Sequence, residues 1–115
     1  ITLCEEYHAP KGVPLVVKGA SSEALFIVLR GELIADDGSL GSIGTMLGAY
    51  SAASGLAEAQ AWTTLTPTDT LRISSAHLRT FLNAYPTLAH VFWKWAAAEH
   101  IALLLHQGGY MSEQQ

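Results

Sequence analysis

The sequence predicts an α+β, mainly β fold: a β-roll over residues 1–74, closed by C-terminal helices over 75–107. Three observations predict it. Residues 24–36, ALFIVLRGELIAD, alternate in strand fashion on both sides of Gly31 and end in the turn Asp36-Asp37-Gly38. Roughly seven or eight such short segments precede any helical periodicity, the order of an α+β chain and not of alternating βαβ units. Half of the 115 residues are hydrophobic and only 14% are charged, enough for one core and too few for two. Residues 1–115 are therefore expected to form a single domain, with 108–115 as its tail.

Residues 1–8 alternate weakly and put Cys4 on a strand as a small buried hydrophobe, ahead of the turn Ala9-Pro10-Lys11-Gly12. Val13 to Lys18 is the next strand, pushed toward an edge or a bulge by Pro14. Ala24 to Arg30 is apolar on both faces and must be covered on both. Glycines at 38, 41, 44 and 48, with Leu40, Ile43, Met46 and Leu47 between them, fit very short strands joined by tight turns. No lysine follows them, so they form no P-loop.

Tyr50 to Leu56 suits one helical turn, and Ala59 to Thr66 is strand-prone around Trp62. Pro67-Thr68-Asp69 turns that strand into the next, Thr70 to Ser74. Ser74 or Ser75 caps a helix that carries Leu78, Phe81, Leu82 and Tyr85 on one face; Pro86 stops it and opens another. That last helix, Thr87 to about Gln107 with Gly108-Gly109 as its stop, is apolar over more than one stripe. The surplus predicts a homodimer seam containing Val91, Trp93, Trp95, Ala98, Ile101, Leu104 and Leu105.

Several chemistries are excluded. The net charge is -4, and the six basic residues are scattered, so this chain alone lacks the basic footprint of a nucleic-acid binder. No apolar run reaches the roughly 20 residues of a membrane span, which predicts a soluble, cytoplasmic domain with no membrane contact of its own. One cysteine rules out an internal disulfide and any four-cysteine metal site within the chain. His8, His77, His90, His100 and His106 lack the paired spacing of a cupin metal centre, and no nucleophile has a base placed by a motif. Haem ligation by His77 or Cys4 is outweighed by ordinary structural roles. The expectation is a non-enzymatic chain without metal or cofactor.

Pro10-Lys11-Gly12, Gly19, the run Ala24 to Leu33 with its Arg30-Gly31-Glu32-Leu33, Leu47-Gly48, Asp69 to Ile73 and Tyr85-Pro86-Thr87-Leu88-Ala89 together resemble the cyclic-nucleotide-binding domain. The nearest likeness is to the effector domain of catabolite-activator/FNR-type transcription regulators. The resemblance implies a double-stranded β-helix (jelly roll), a phosphate-binding cassette between two late strands, and a long dimerisation-type helix that relays ligand binding. It also implies a sensor half, cut from a longer protein or standing alone.

The cassette itself departs from the family. Gly48 keeps the glycine, Ala49 stands in place of the glutamate, and Glu58 with Ala59 stands near the expected arginine and its neighbour. From Gly31 to Leu71 there is no Lys or Arg. A buried phosphate there would lose its charge-assisted contact, leaving only weak backbone contacts near Gly48 and Ser51. The candidate ligand residues are Gly48, Ala49, Tyr50, Ser51, Glu58, Ala59 and Gln60, with the flat faces of Trp62, Trp93 and Trp95 as further pocket candidates beside their reading as core or seam. The expected function is regulation through the C-terminal helix, in response to a small ligand other than the usual cyclic nucleotide or to dimer packing alone. The regulatory domain of an ion channel or antiporter is the alternative, and a cupin-like metal enzyme the lesser one.

Overall fold

In the computed structural model, residues 4–107 are described. Eight strands come first: β1 (Glu5–Ala9), β2 (Pro14–Val16), β3 (Ala24–Arg30), β4 (Leu33–Ala35), β5 (Leu40–Gly41), β6 (Met46–Leu47), β7 (Trp62–Thr64) and β8 (Thr68–Ser74). A short helix α1 (Ala49–Ser54) lies between β6 and β7, and α2 (Ser75–Ala84) and α3 (Pro86–Gln107) follow β8.

The expected jelly roll, a double-stranded β-helix over residues 1–74, is corrected. The strands form two open four-stranded antiparallel sheets, in the orders β1-β8-β3-β6 and β2-β7-β4-β5. No ladder between named strands joins the two sheets among the described residues, so there is no closed barrel. The outermost strands explain why. β5 and β6 have two residues each, too few to curl a sheet around its edge, and the glycine-rich turns flanking them interrupt the ladder.

β3 is the central member, paired with β8 from Ala24↔Ser74 onward and with β6 at Phe26↔Leu47. One of its faces turns toward the second sheet. Ala24, Phe26 and Val28 pack there with Leu47 against Val16 and Leu33, with Leu15 and Trp62 alongside. The other face turns toward the helices, where Leu25 meets Ala49, Ala52 and Ala53 of α1 and Leu78 and Leu82 of α2. Ile73, Phe81, Ala89, Phe92 and Trp93 complete this second cluster. Small alanines let α1 approach the sheet closely.

Local chemistry places the ends. Ser74 Oγ accepts a hydrogen bond from the His77 amide at 3.2 Å and starts α2, a cap worth about 1 kcal/mol. Gly31 separates β3 from β4 at φ 110°, and a Cβ there would lie 2.7 Å from the Pro67 carbonyl. No other residue type fits that approach. Cys4 lies ahead of β1 and is half-buried, so the expected strand position and full burial of this thiol are corrected. The expected Gly108-Gly109 stop and the 108–115 tail lie outside the described residues.

Candidate functional site

The turn between β6 and α1 sets one wall of a cavity of about 560 Å³. Gly48 caps α1 at φ 75°, and a Cβ added there would lie 2.8 Å from the Ala24 carbonyl oxygen and 3.3 Å from Glu58 Oε2. Only glycine lets this backbone come so near β3 and Glu58. Ser51, buried on α1, ties the neighbouring loops together: its hydroxyl donates to the Leu56 carbonyl at 2.6 Å and accepts from the Ser22 amide at 2.7 Å.

Ser22 in turn donates through its own hydroxyl to Glu58 Oε2. The loop carrying Glu58 is held on both sides of that residue's peptide, by Glu58 N–H to the Ala20 carbonyl at 2.9 Å and Gly19 N–H to the Glu58 carbonyl at 2.8 Å. Glu58 is half-buried, and burial pushes its carboxyl above the usual carboxylate range, opposed by the Ser22 hydrogen bond.

Helix α3 closes the far side. Trp95, Ala96, Glu99, His100, Ala102 and Leu103 line the cavity opposite Gly48, Ala49, Tyr50, Glu58, Gln60 and Trp62. Tyr50 links the two walls: its ring stacks on His100 with centroids 4.2 Å apart and meets Trp93 edge-on at 6.0 Å. None of the six basic residues lines the cavity among the described residues. Lys18, Arg30 and Arg72 are engaged elsewhere, with Asp36, Asp69 and Glu5. Among the described residues no group of three or more His, Cys, Asp or Glu side chains is arranged to hold a metal.

α3 also carries an exposed apolar stripe, which shares Trp95 and Ala102 with the cavity wall. Leu88, Val91, Trp95, Ala98, Ala102 and Leu105 are exposed and recur at alternating steps of three and four, the spacing of a coiled-coil seam. No helix among the described residues is long and apolar enough to cross a membrane.

The fold matches solved structures of low sequence identity. Thermus thermophilus catabolite activator protein matches with a TM-score of 0.74 at 17% identity, covering 96% of this chain and 55% of that one. The C-linker/CNBHD of zELK channels, crystallised in the presence of cAMP, matches with a TM-score of 0.71 at 22% identity, covering 84% and 52%. The chain has a cyclic-nucleotide-binding-domain-like fold.

The regulatory subunit of a cAMP-independent protein kinase A from Trypanosoma brucei shares this cyclic-nucleotide-binding-like fold, with a TM-score of 0.62 at 17% identity over 80% of this chain and 37% of that one. The present chain spans about half the length of the Thermus and zELK chains. No family model and no curated protein matches it.

Within this cyclic-nucleotide-binding-like domain, the sequence-predicted ligand residues divide. Gly48, Ala49, Tyr50, Glu58 and Gln60 line the cavity. Ser51 and Ala59 are buried behind it, and Ser51 acts by holding the loops. The sequence-predicted seam divides as well. Val91, Trp95, Ala98, Ile101, Leu104 and Leu105 are exposed, whereas Trp93 turns inward against the α1–α2 cluster.

Of the three tryptophans named as pocket candidates, Trp62 and Trp95 line the cavity and Trp93 does not; the rest of the α3 wall, His100 included, was missed, because nothing local says which face of an almost uniformly apolar helix meets α1. Sequence reasoning also missed Ser22, a loop serine 36 positions from its carboxylate partner.

Proposed function

We propose that the chain is a non-enzymatic regulatory or sensory domain that passes the state of its cavity to α3. One observation carries the proposal. Trp95 and Ala102 line the cavity and also belong to the exposed heptad stripe, so a molecule filling the cavity touches the surface through which two copies would pair. A switch of this kind needs a ligand that favours one placement of α3 over another. Side chains shared by the cavity and the seam supply that differential contact.

The stripe's occupant in this reading is a second copy of the chain. Its alternating three-and-four spacing is self-complementary, which suits a symmetric helix pair. The likeness to the Thermus catabolite activator supports a role like that of the effector domain in catabolite-activator/FNR-type regulators. The likeness to the zELK C-linker/CNBHD supports a second reading, the cytoplasmic regulatory domain of a channel or antiporter. A helix-turn-helix downstream of Gln115 in the gene would assign the first; membrane spans upstream of Ile1 would assign the second.

The messenger in this proposal is not an ordinary cyclic nucleotide. Glu58 stands beside Gly48 in a cavity that has no cationic side chain among the described residues, so a buried cyclic phosphate would meet repulsion where it needs a charge-assisted partner. The Trypanosoma brucei relative, part of a cAMP-independent kinase, supports regulation on this fold without that nucleotide. Calorimetric titration with cyclic AMP and cyclic GMP is expected to find no binding tighter than about 100 μM, near -5.5 kcal/mol. Low-micromolar binding lost in Glu58→Gln would sink this reading of the cavity. Sedimentation is expected to show a dimer weakened by Leu105→Ala; a strict monomer at high concentration would remove the relay.

A further inference from the structure

The cavity's electrostatics are the reverse of what an anionic messenger needs, and they specify another ligand chemistry. Its lining carries two carboxylates, Glu58 and Glu99, with His100 and the Tyr50 phenol as the remaining titratable groups and no Lys or Arg among the described residues. Glu58 makes no ion pair among the described residues. Its hydrogen bond comes from the neutral Ser22 hydroxyl, which leaves the carboxylate charge uncompensated. Burial already disfavours that charge and pushes the pKa up, so a cation entering the cavity would relieve an existing cost.

The walls suit the same ligand. Tyr50, Trp62 and Trp95 contribute aromatic rings to one enclosure, and aromatic faces attract a cation through the ring quadrupole. Weakly hydrated alkylammonium groups gain more from such faces than from water. The volume, about 560 Å³, lies within the roughly 300–1,000 Å³ of ordinary small-molecule pockets, which leaves room for more than a headgroup.

We propose that the cavity binds a small organic cation, an alkylammonium group held between the Glu58 carboxylate and the rings of Trp62 and Trp95. The proposal rests on the reading of this cavity as the sensing site. Charge selects the ligand, and contact with Trp95 reports it to α3.

The test compares choline with 3,3-dimethylbutan-1-ol, its uncharged analogue of the same shape, on the 115-residue chain, followed by tryptophan fluorescence and calorimetry. Choline is expected to bind at least tenfold more tightly than the alcohol. Glu58→Gln should remove most of that preference while leaving the alcohol's affinity within about twofold. Glu99→Gln and Trp95→Leu, at exposed positions that spare the core, should each reduce the preference by a smaller factor and keep the proposal testable if Glu58→Gln fails to fold.

Equal affinity for choline and the alcohol, or no choline binding, would overturn the cation assignment. If the alcohol still shifts the monomer–dimer equilibrium, the sensing-site reading survives that failure. Cyclic AMP binding more tightly than choline would overturn both.

Discussion

The two faces of β3 are buried by different means. On the side of Phe26 and Val28 the cover is a second sheet, whose residues Val16 and Leu33 are held in place by ladders. On the side of Leu25 the cover is three helices that no ladder holds, joined through alanines and the rings of Phe81, Phe92 and Trp93. A laddered layer keeps its register unless hydrogen bonds break, whereas packed helices slide by small steps at lower cost. The first face supplies the foundation and the second carries the helical wall of the cavity.

The sharpest way to break that contrast is Leu33→Ala. Leu33 is fully buried between the sheets, and its truncation is expected to cost about 2–5 kcal/mol in urea denaturation. A loss below about 1 kcal/mol would mean the sheet-side layer gives way as readily as the helix side. Ala52→Leu probes the other face. Ala52, on the buried face of α1, is also fully buried, and overpacking there should cost about 1–3 kcal/mol and alter the Tyr50–His100 stack, seen as shifted aromatic resonances of Tyr50. If those resonances stay fixed, α1 and α3 do not move together.

Glu58 sharpens the comparison through pH. Its carboxyl titrates above the usual range in the folded chain, so the native state holds that proton more tightly than the unfolded one. Stability should therefore fall as pH rises through the window from the ordinary glutamate value to the raised one, and Glu58→Gln should flatten this part of a denaturation-versus-pH curve. A slope unchanged in Glu58→Gln would assign the dependence elsewhere.

The smallest effect is at His8 on the outer edge of the first sheet. Its Nδ1–H donates to Asp69 Oδ1 at 2.7 Å and its Nε2 lies 3.4 Å from Glu6 Oε2, and the Asp69 hydrogen bond raises its pKa. Its slight stabilisation is present below the ordinary histidine value and lost as pH rises through the raised one. Asp69→Asn should return the His8 midpoint, followed by NMR, toward that ordinary value with little change in midpoint denaturant concentration.

Much of this was legible from residues alone. The double-sided apolar pattern of Ala24 to Arg30 required two covers, and both are present. Ser74 and Pro86 marked the helix starts, because capping and a missing amide hydrogen are local chemistry. Gly48 and Glu58 were legible as neighbours of one site through the resemblance, and the cavity contains both. That the expected roll stays open was not legible, since two-residue strands look in sequence like any glycine-rich turn. Trp93 and Trp95 are two positions apart on a helix that is apolar almost all round, so periodicity could not say which ring would enter the protomer and which would remain at its surface.

By itself the chain's order of residues determined the succession of strands and helices, that β3 lies inside, and that no positive side chain between Gly31 and Leu71 can meet a phosphate. These are local or compositional properties, complete before folding. Only the tertiary structure decided that the sheets stay open, that Ser22 and Glu58 meet, and that α3 closes over Tyr50 to build the cavity. Each depends on packing between segments far apart in the chain, and such contacts have no counterpart in sequence spacing.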